Sequence, residues 1–340
     1  MTTTTIMMQD RQKKQDLGIF YTPPAVAHFI FDILSTWKDA EDKKTKRWQS
    51  RKPQHFPSVI DPAVGEGIFL KTAVERGFTK PEWIFGLDID ENAVQKWKEI
   101  NLLKQFGGNE DELDAHFFHQ NGLEPIQWEQ HASTYNSKLK KEDMKKQQFN
   151  AVVGNPPYGG IGVDLKSPGS MRLLEALRKY EIFGWKLSAK AEQVSTTASM
   201  FGESDFAETT NYTAHADDVV RLAEGMPIEV LFVERFIQLA KPGGWIAIVI
   251  PDGILTNSNA HYVRAFIAAK AKVEAIVSLP RGTFKHAGTS AKTSILFLRK
   301  WEEETKRDLK YPVFLASVAA VEESSFTAVA KEYKKFYSSQ

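Results

Sequence analysis

An amide side chain followed by two prolines and an aromatic ring stands directly after the apolar run at residues 149–153. The segment reads Gly154, Asn155, Pro156, Pro157, Tyr158. Pro156 fixes its own φ angle and disfavours the helical region for Asn155, so the amide is held at the end of a strand. This rigidity predicts a catalytic turn, although proline and glycine also occur in ordinary loops after strands.

The acceptors of this turn suit a planar amino group. The Asn155 side-chain oxygen and the Pro156 carbonyl would accept the two hydrogens of an exocyclic amine, beside the ring of Tyr158. Accepting both hydrogens makes the nitrogen more nucleophilic and stabilises the positive charge that develops during its attack. The turn therefore predicts group transfer to an NH2 nitrogen.

Two further turns predict a nucleoside ligand that carries positive charge. Residues 58–62 read as a short apolar strand that leads into the glycine-rich turn 61–67, where the backbone can approach a ligand closely. Asp61 and Glu66 in this turn would repel a pyrophosphate, and Asp88, after a second apolar run, suits the hydroxyls of a ribose. S-adenosylmethionine fits this description, although any doubly wound protein can place Gly and Asp after its strands.

These motifs together resemble those of the amino-methyltransferases that methylate N6 of adenine in DNA, including type I modification subunits and single-chain type II enzymes. The resemblance runs from about residue 17 to residue 300. Residues 155–158 match the family's catalytic NPPY motif without change, and residues 61–67 match its DPxxGxG turn. Glu66 departs from the small residue that is usual between the two glycines, and this departure bears on cofactor affinity.

The resemblance implies which residues act on the acceptor. Asn155, Pro156 and Tyr158 would be catalytic, and Pro157, Tyr158 and Phe284 would contact the target base once it has left the helix. Phe284 would equally suit a loop residue packed into the core. The same NPPY turn occurs in methyltransferases of protein glutamine and of ribosomal RNA, and these activities remain alternatives. A non-catalytic subunit of a defence complex with the same fold is another.

The resemblance also implies a set of residues that bind S-adenosylmethionine. Thr22 would lie near the cofactor carboxylate and Asp88 would hold the ribose. Ile89 would lie on the cofactor adenine, whose amino group Asn121 would contact. The full set is Tyr21, Thr22, Asp61, Pro62, Ala63, Gly65, Gly67, Asp88, Ile89, Asn121, Gly122 and Asn155.

The alternation of apolar runs with helical patterns predicts an α/β fold. Strands are predicted at residues 58–61, 83–88, 116–119, 149–154, 245–250, 273–279 and 293–298. They would form a seven-stranded, mostly parallel sheet with helices on both faces and ligands at the carboxyl ends of the strands. This is the Rossmann-like fold of S-adenosylmethionine-dependent methyltransferases, and the resemblance makes the last strand antiparallel.

The expected organisation is one catalytic domain with additions. Residues 1–16 read as a polar N-terminal arm, 17–300 as the methyltransferase domain and 301–340 as a short C-terminal extension. A long insertion at 161–225 follows the catalytic turn, so it is expected to lie beside the substrate.

Composition excludes several other chemistries. The 340 residues contain no cysteine, which excludes disulfides, thiolate zinc sites and the cysteine nucleophile of cytosine C5 methylation. The eight histidines are scattered, and no metal is assigned. The first residues are polar and no apolar run approaches the roughly 18 residues of a membrane span, so a cytoplasmic enzyme without a membrane partner is expected.

Charge bears on the expected partners. A net charge of +1 is low for a protein that binds DNA tightly by itself, because Lys and Arg contacts to phosphate supply most non-specific affinity. Relatives that act alone carry a long target-recognition domain, whereas 40 residues follow residue 300 here. Double-stranded DNA is therefore the expected substrate, with a separate specificity subunit or a homo-oligomer reading its sequence, unless the 161–225 insertion does so.

Overall fold

A single mixed sheet with helices on both faces organises the chain. The computed structural model describes residues 22–44, 56–127, 147–159, 162–167, 169–196, 216–285, 291–303 and 310–340. Within these ranges the strands are β1 (Val59–Asp61), β2 (Ile84–Asp88), β3 (Phe117–His119), β4 (Phe149–Gly154), β5 (Ala240–Pro251), β6 (Ala271–Ser278), β7 (Thr293–Lys300) and β8 (Phe314–Ser317).

The strands follow the order β3-β2-β1-β4-β5-β7-β6-β8. Every neighbouring pair is parallel except those of β7, which runs antiparallel to both β5 and β6. The predicted α/β fold with a mostly parallel sheet is confirmed, and so is the antiparallel direction of the strand that begins at Thr293.

Helices connect the strands and cover both faces of the sheet. They are α1 (Pro24–Lys44), α2 (Ile68–Glu75), α3 (Glu91–Ile100), α4 (Leu102–Gln105), α5 (Leu113–His116), α6 (Ser170–Leu177), α7 (Ile182–Thr196), α8 (Ala216–Glu224), α9 (Ile228–Leu239), α10 (Asp252–Thr256), α11 (His261–Lys270) and α12 (Glu323–Ser338). Short 3-10 turns stand at Pro81–Trp83, Glu110–Glu112 and Ser258–Ala260. No helix in the described part of the chain is long and apolar enough to span a bilayer.

The sheet has one strand more than the seven predicted. β8 comes from the segment after residue 300 and pairs in parallel with β6, with Phe314 opposite Ala275. Its four residues alternate between half-buried and exposed, and Leu315 is 71% exposed. A strand this short, with one face in solvent, lacks the continuous apolar run that marks the buried strands.

The C-terminal helix α12 packs on α1 across the sheet edge. The Trp37 indole nitrogen donates a hydrogen bond of 2.5 Å to the Tyr333 hydroxyl, and the rings of Phe29 and Phe326 lie 5.2 Å apart. The segment after residue 300 therefore belongs to the same core as α1.

Two apolar clusters lie on opposite faces of the sheet. Val153 belongs to the cluster under α1, α2 and α12, whereas its neighbour Val152 belongs to the cluster under α9 and α11. This alternation follows from the pleat of a strand, in which successive side chains point to opposite faces.

The insertion after the turn at 155–158 forms helices that share a core cluster with α9. Leu177, Phe183 and Val219, from α6, α7 and α8, are buried in the same cluster as Phe236. The Glu234 carboxylate accepts the backbone N–H groups of Glu181 and Ile182 at 2.8 and 2.9 Å, which fixes the start of α7 on α9. Residues 197–215 lie outside the described part of the chain.

Candidate active site

The candidate residues lie together at the end of the sheet formed by the carboxyl ends of its parallel strands. Because β1, β2, β3 and β4 are parallel, the turn at 61–67, Asp88, Asn121 and Asn155 all emerge at their carboxyl ends. The chain enters β7 at this edge because that strand runs in the opposite direction, and the preceding loop carries Phe284. The edge therefore holds the described candidates for both the cofactor and the target base.

The glycine-rich turn after β1 is tied to the end of β2. The Gly65 N–H donates to Asp88 Oδ2 at 2.7 Å, and the Trp97 indole N–H donates to the Gly65 carbonyl at 2.7 Å. Gly65 and Gly67 have φ angles of +50° and +81°, which side chains rarely adopt. The two glycines are therefore required by the shape of the turn.

Glu66, the departure from the family pattern, points into solvent. Its carboxylate lies 2.5 Å from the Lys96 ammonium of α3, and both side chains are about half exposed. This ion pair compensates the extra negative charge of the turn, so the departure adds no unpaired carboxylate.

Asp61 is the buried acid of the site. Its Oδ1 accepts the N–H of Ala63, which follows Pro62 in the turn, at 3.0 Å. Among the described residues Oδ2 has no hydrogen-bond partner. Burial raises the pKa of Asp61 well above its usual range, the charge of Asp88 adds to this, and the Ala63 N–H opposes it. A buried carboxylate with an unused oxygen suits a positively charged ligand.

Asp88 ends β2, and Ile89 directly after it is an exposed apolar side chain. The two oxygens of Asp88 accept backbone N–H groups from Gly65 and Asp90, at 2.7 and 2.9 Å. Burial raises the pKa of Asp88, and these two bonds oppose the shift. Ile89 is 59% exposed, so it offers an apolar surface to a planar ring beside the fixed carboxylate.

The loop after β3 is held from two sides. A β-carbon at Gly122 would lie 1.8 Å from the Pro62 carbonyl oxygen, so only glycine permits this approach to the β1 turn. The buried Arg235 of α9 donates to the carbonyls of Gly122 and Glu124 at 2.9 and 2.6 Å. Asn121, at the start of the loop, accepts the Leu123 N–H at 3.0 Å.

Sequence reasoning missed Arg235. The signal for it was present, since a guanidinium stands in the middle of the apolar pattern of α9. A buried charge of this kind needs acceptors, and here they are carbonyls of the loop after β3.

The Asn155 amide is buried and oriented. It is 9% exposed, and its Nδ2 donates to the hydroxyl oxygen of Thr22 at 3.1 Å. Within the described ranges no group hydrogen-bonds to its Oδ1. The oxygen that the sequence predicts as the acceptor of an amine is therefore available.

The aromatic residues of the site pack on each other. Tyr158 and Phe284 are each 1% exposed, and their rings meet edge to face with centroids 6.3 Å apart. Burial raises the pKa of Tyr158, and the charge of Glu229 adds to this. Tyr158 is thus a neutral phenol whose buried ring contacts that of Phe284.

Thr22 is the only described residue of the predicted segment 21–22. It is 4% exposed and its described hydrogen-bond partner is Asn155. Tyr21, the other candidate in this segment, lies outside the described residues.

Two family models match overlapping parts of the chain that include several of the candidate residues. Residues 82–195 match the model described as Eco57I restriction-modification methylase, and residues 188–325 match the model described as N-6 DNA Methylase. The first range contains Asp88, Asn121 and Asn155, and the second contains Phe284. The resemblance to N6-adenine DNA methyltransferases is confirmed.

Individual methylases resemble the chain at low identity. The Type I restriction enzyme EcoEI methylase subunit of Escherichia coli is 24% identical over 305 residues, which cover 86% of this chain and 45% of that subunit. The chain therefore spans less than half the length of this relative.

Solved structures share the fold. A protein of Listeria monocytogenes, provisionally named a class I S-adenosylmethionine-dependent methyltransferase, superposes with a TM-score of 0.52 at 18% identity, over 93% of this chain and 71% of that one. The type I restriction-modification methyltransferase subunit of Streptococcus thermophilus gives 0.50 at 16% identity, over 93% and 53%. The predicted methyltransferase fold is confirmed by these likenesses.

Proposed function

We propose that the chain is an adenine-specific DNA methyltransferase that transfers a methyl group from S-adenosylmethionine to N6 of adenine in double-stranded DNA. One observation carries the proposal: the Asn155 amide offers a buried Oδ1 without a partner in the described structure, at the same sheet edge as Asp61. The amide oxygen fits an amine and the carboxylate fits a cation. The similarity to type I methylases supports a place in a restriction-modification or phage-defence system.

The residues of the β1, β2 and β3 ends fit S-adenosylmethionine. Asp61 keeps a buried oxygen for its positive charge, and Asp88 is held by two backbone N–H groups that leave lone pairs for ribose hydroxyls. The exposed Ile89 would lie on the cofactor adenine, with Asn121 beside it. The cofactor, when bound, supplies an electrophilic methyl group.

The β4 turn fits the target adenine. N6 is out of reach in a paired duplex, so the base must leave the helix and enter the site. Asn155 Oδ1 and the Pro156 carbonyl accept the two amino hydrogens, while Pro157, Tyr158 and Phe284 contact the ring. Because an amine attacks the methyl group directly, positioning and charge stabilisation lower the barrier without a strong base.

Sequence recognition is assigned to a partner or to a further copy of the chain. The net charge of +1 provides little of the counterion release on which independent DNA binding depends. A separate specificity subunit or a homo-oligomer would then bring residues 17–300, as the catalytic domain, to cytoplasmic DNA. Site-specific nanomolar binding by the isolated chain in a gel-shift assay would remove this part of the proposal.

Transfer of label from tritiated S-adenosylmethionine tests the activity. Unmodified DNA, ribosomal RNA and total protein are each incubated with the chain, alone and with the products of its neighbouring genes. We expect label in DNA, and sequencing of modified bases should find N6-methyladenine at a defined sequence. Label in RNA or protein alone would contradict the proposal.

A further inference from the structure

The described partner of the Asn155 amide nitrogen is a hydroxyl on a distant segment. Nδ2 lies 3.1 Å from Thr22 Oγ1, across 133 residues of chain. Both side chains are buried, at 9% and 4% exposure. A hydrogen bond shielded from water in this way holds a side chain more firmly than one at the surface.

The backbone is stiff at both ends of this bond. Thr22 precedes Pro23 and Pro24, and Asn155 precedes Pro156 and Pro157. A following proline removes the helical region from each residue, so both side chains project from fixed, extended positions. Pro24 also begins α1, whose first turn is buried under the sheet at Val26 and Ala27.

The bond holds the amide in the orientation that leaves Oδ1 for the substrate. An amide turned over would present its NH2 group to the substrate, and two amino groups cannot accept hydrogens from each other. Because Nδ2 donates to Thr22, Oδ1 is the atom that remains for the substrate amine.

We propose that Thr22 is a positioning residue, whose hydroxyl accepts Nδ2 of Asn155 and thereby directs Oδ1 toward the substrate amine. This role rests on the proposed function. It differs from the cofactor contact that the sequence indicates for Thr22, because it requires no contact with S-adenosylmethionine.

Two substitutions separate these roles. Thr22→Val keeps the branched shape without the hydroxyl, and Thr22→Ser keeps the hydroxyl. Methylation is measured on unmodified double-stranded DNA amplified from the genome that encodes the chain, together with whatever partner the wild-type chain requires. We expect kcat of Thr22→Val to fall roughly tenfold with KM for DNA unchanged, since one hydrogen bond is lost, and Thr22→Ser to restore it.

The kinetic test is completed by measuring cofactor affinity and by a control substitution at a second buried threonine. The Kd for S-adenosylmethionine, measured by calorimetry, should be the same in the wild type and Thr22→Val, and a raised Kd would assign Thr22 to the cofactor instead. Thr36→Val is the control, because Thr36, on α1, is also buried and its described hydrogen bond is to the Asp32 carbonyl of its own helix. A similar loss in Thr36→Val would overturn the positioning role.

A spectroscopic measurement tests the bond without turnover. In protein labelled with 15N at asparagine, Asn155→Ala identifies the Asn155 amide signals, and Thr22→Val should shift them and speed their exchange with water. Unchanged signals would overturn the proposal. If the wild type methylates DNA and Thr22→Val keeps the full kcat, the positioning role alone is removed. If the wild type transfers methyl groups to no nucleic acid, the proposed function is removed as well.

Discussion

Gly154 lies directly against the carboxylate of Asp61. A β-carbon at Gly154 would stand 2.6 Å from Asp61 Oδ1 and 3.0 Å from the Phe236 ring. β4 and β1 are neighbours in the sheet, so the last residue before Asn155 touches the acid proposed to hold the cofactor. The two proposed ligands would thus be held by adjacent, contacting residues, which suits direct transfer between them.

Asn155→Ala should remove activity and leave cofactor binding intact. The change deletes the buried acceptor Oδ1, and loss of one such preorganised group costs about 100- to 1,000-fold in kcat. Single-turnover methylation of DNA and calorimetry with S-adenosylmethionine measure the two effects. Asn109→Ala, an exposed asparagine between α4 and α5, is the control. Undiminished turnover in Asn155→Ala would refute the catalytic assignment.

Affinity for S-adenosylmethionine should fall as the pH is lowered. Burial raises the pKa of Asp61 well above its usual range, and only the ionised carboxylate attracts a cation. Acid therefore protonates Asp61 at a higher pH than an ordinary carboxyl. Calorimetry at a series of falling pH values should show this decline in the wild type, and Asp61→Asn should bind weakly at every pH.

Asp114→Asn serves as the control for that titration, because Asp114 is exposed on α5. It should follow the wild-type curve. A pH profile that is the same in Asp61→Asn and the wild type would show that another group governs the affinity.

Arg235→Met should weaken cofactor binding from outside the site. Methionine keeps an apolar stem in α9, but the carbonyls of Gly122 and Glu124 lose their buried donors. Each unsatisfied carbonyl costs about 1–3 kcal/mol, so we expect lower stability in urea and at least tenfold weaker binding of S-adenosylmethionine. Arg221→Met, at a largely exposed arginine of α8, should change neither. Normal cofactor affinity in Arg235→Met would show that the loop holds its shape without the guanidinium.

The free energy of unfolding should depend on pH through Glu234. Burial raises the pKa of this carboxyl to about 7, although the N–H groups of Glu181 and Ile182 and the Gln238 amide oppose the shift. The folded chain then keeps its proton up to about pH 7, whereas the unfolded chain loses it near 4.5. Stability contributed by the protonated group is therefore lost as the pH rises through this window, by roughly 3 kcal/mol in total.

Urea unfolding from about pH 5 to pH 8 measures this dependence. Glu234→Gln cannot ionise, so the difference between its curve and that of the wild type isolates the group. Glu175→Gln, at an exposed residue of α6, should parallel the wild type. Parallel curves for Glu234→Gln would contradict the prediction.

The strands were predictable because their signals are local. Each of the seven predicted runs overlaps a strand of the sheet, and β4 occupies residues 149–154 as expected. β5 begins at Ala240 rather than at 245, because Phe149 of β4 pairs with Ala240. The register then shifts, so that Ala151 pairs with Trp245. β8 escaped prediction because four residues with one exposed face lack a distinctive pattern.

The motifs of the proposed site can be read from the sequence, whereas the contacts among its residues cannot. The residue types around Asn155, Asp61 and Asp88 indicate an amine acceptor and a cationic nucleoside from spacing alone. The bonds from Asn155 to Thr22 and from Arg235 to Gly122 join residues 133 and 113 positions apart. Such distances follow from how the helices dock on the sheet, which no local pattern specifies.

Because β7 runs in the reverse direction, the loop that carries Phe284, proposed to contact the target base, is supported by different strands from the proposed cofactor residues. The Phe284 loop leaves β6 and enters β7, two strands paired with each other and remote from β1, β2 and β3. Insertions or exchanges between residues 279 and 292 are therefore expected to change which base the proposed site admits, while the proposed cofactor residues of β1, β2 and β3 stay unchanged. Natural or engineered divergence in nucleotide preference is expected to accumulate in that stretch, with the acidic turns kept constant beside it.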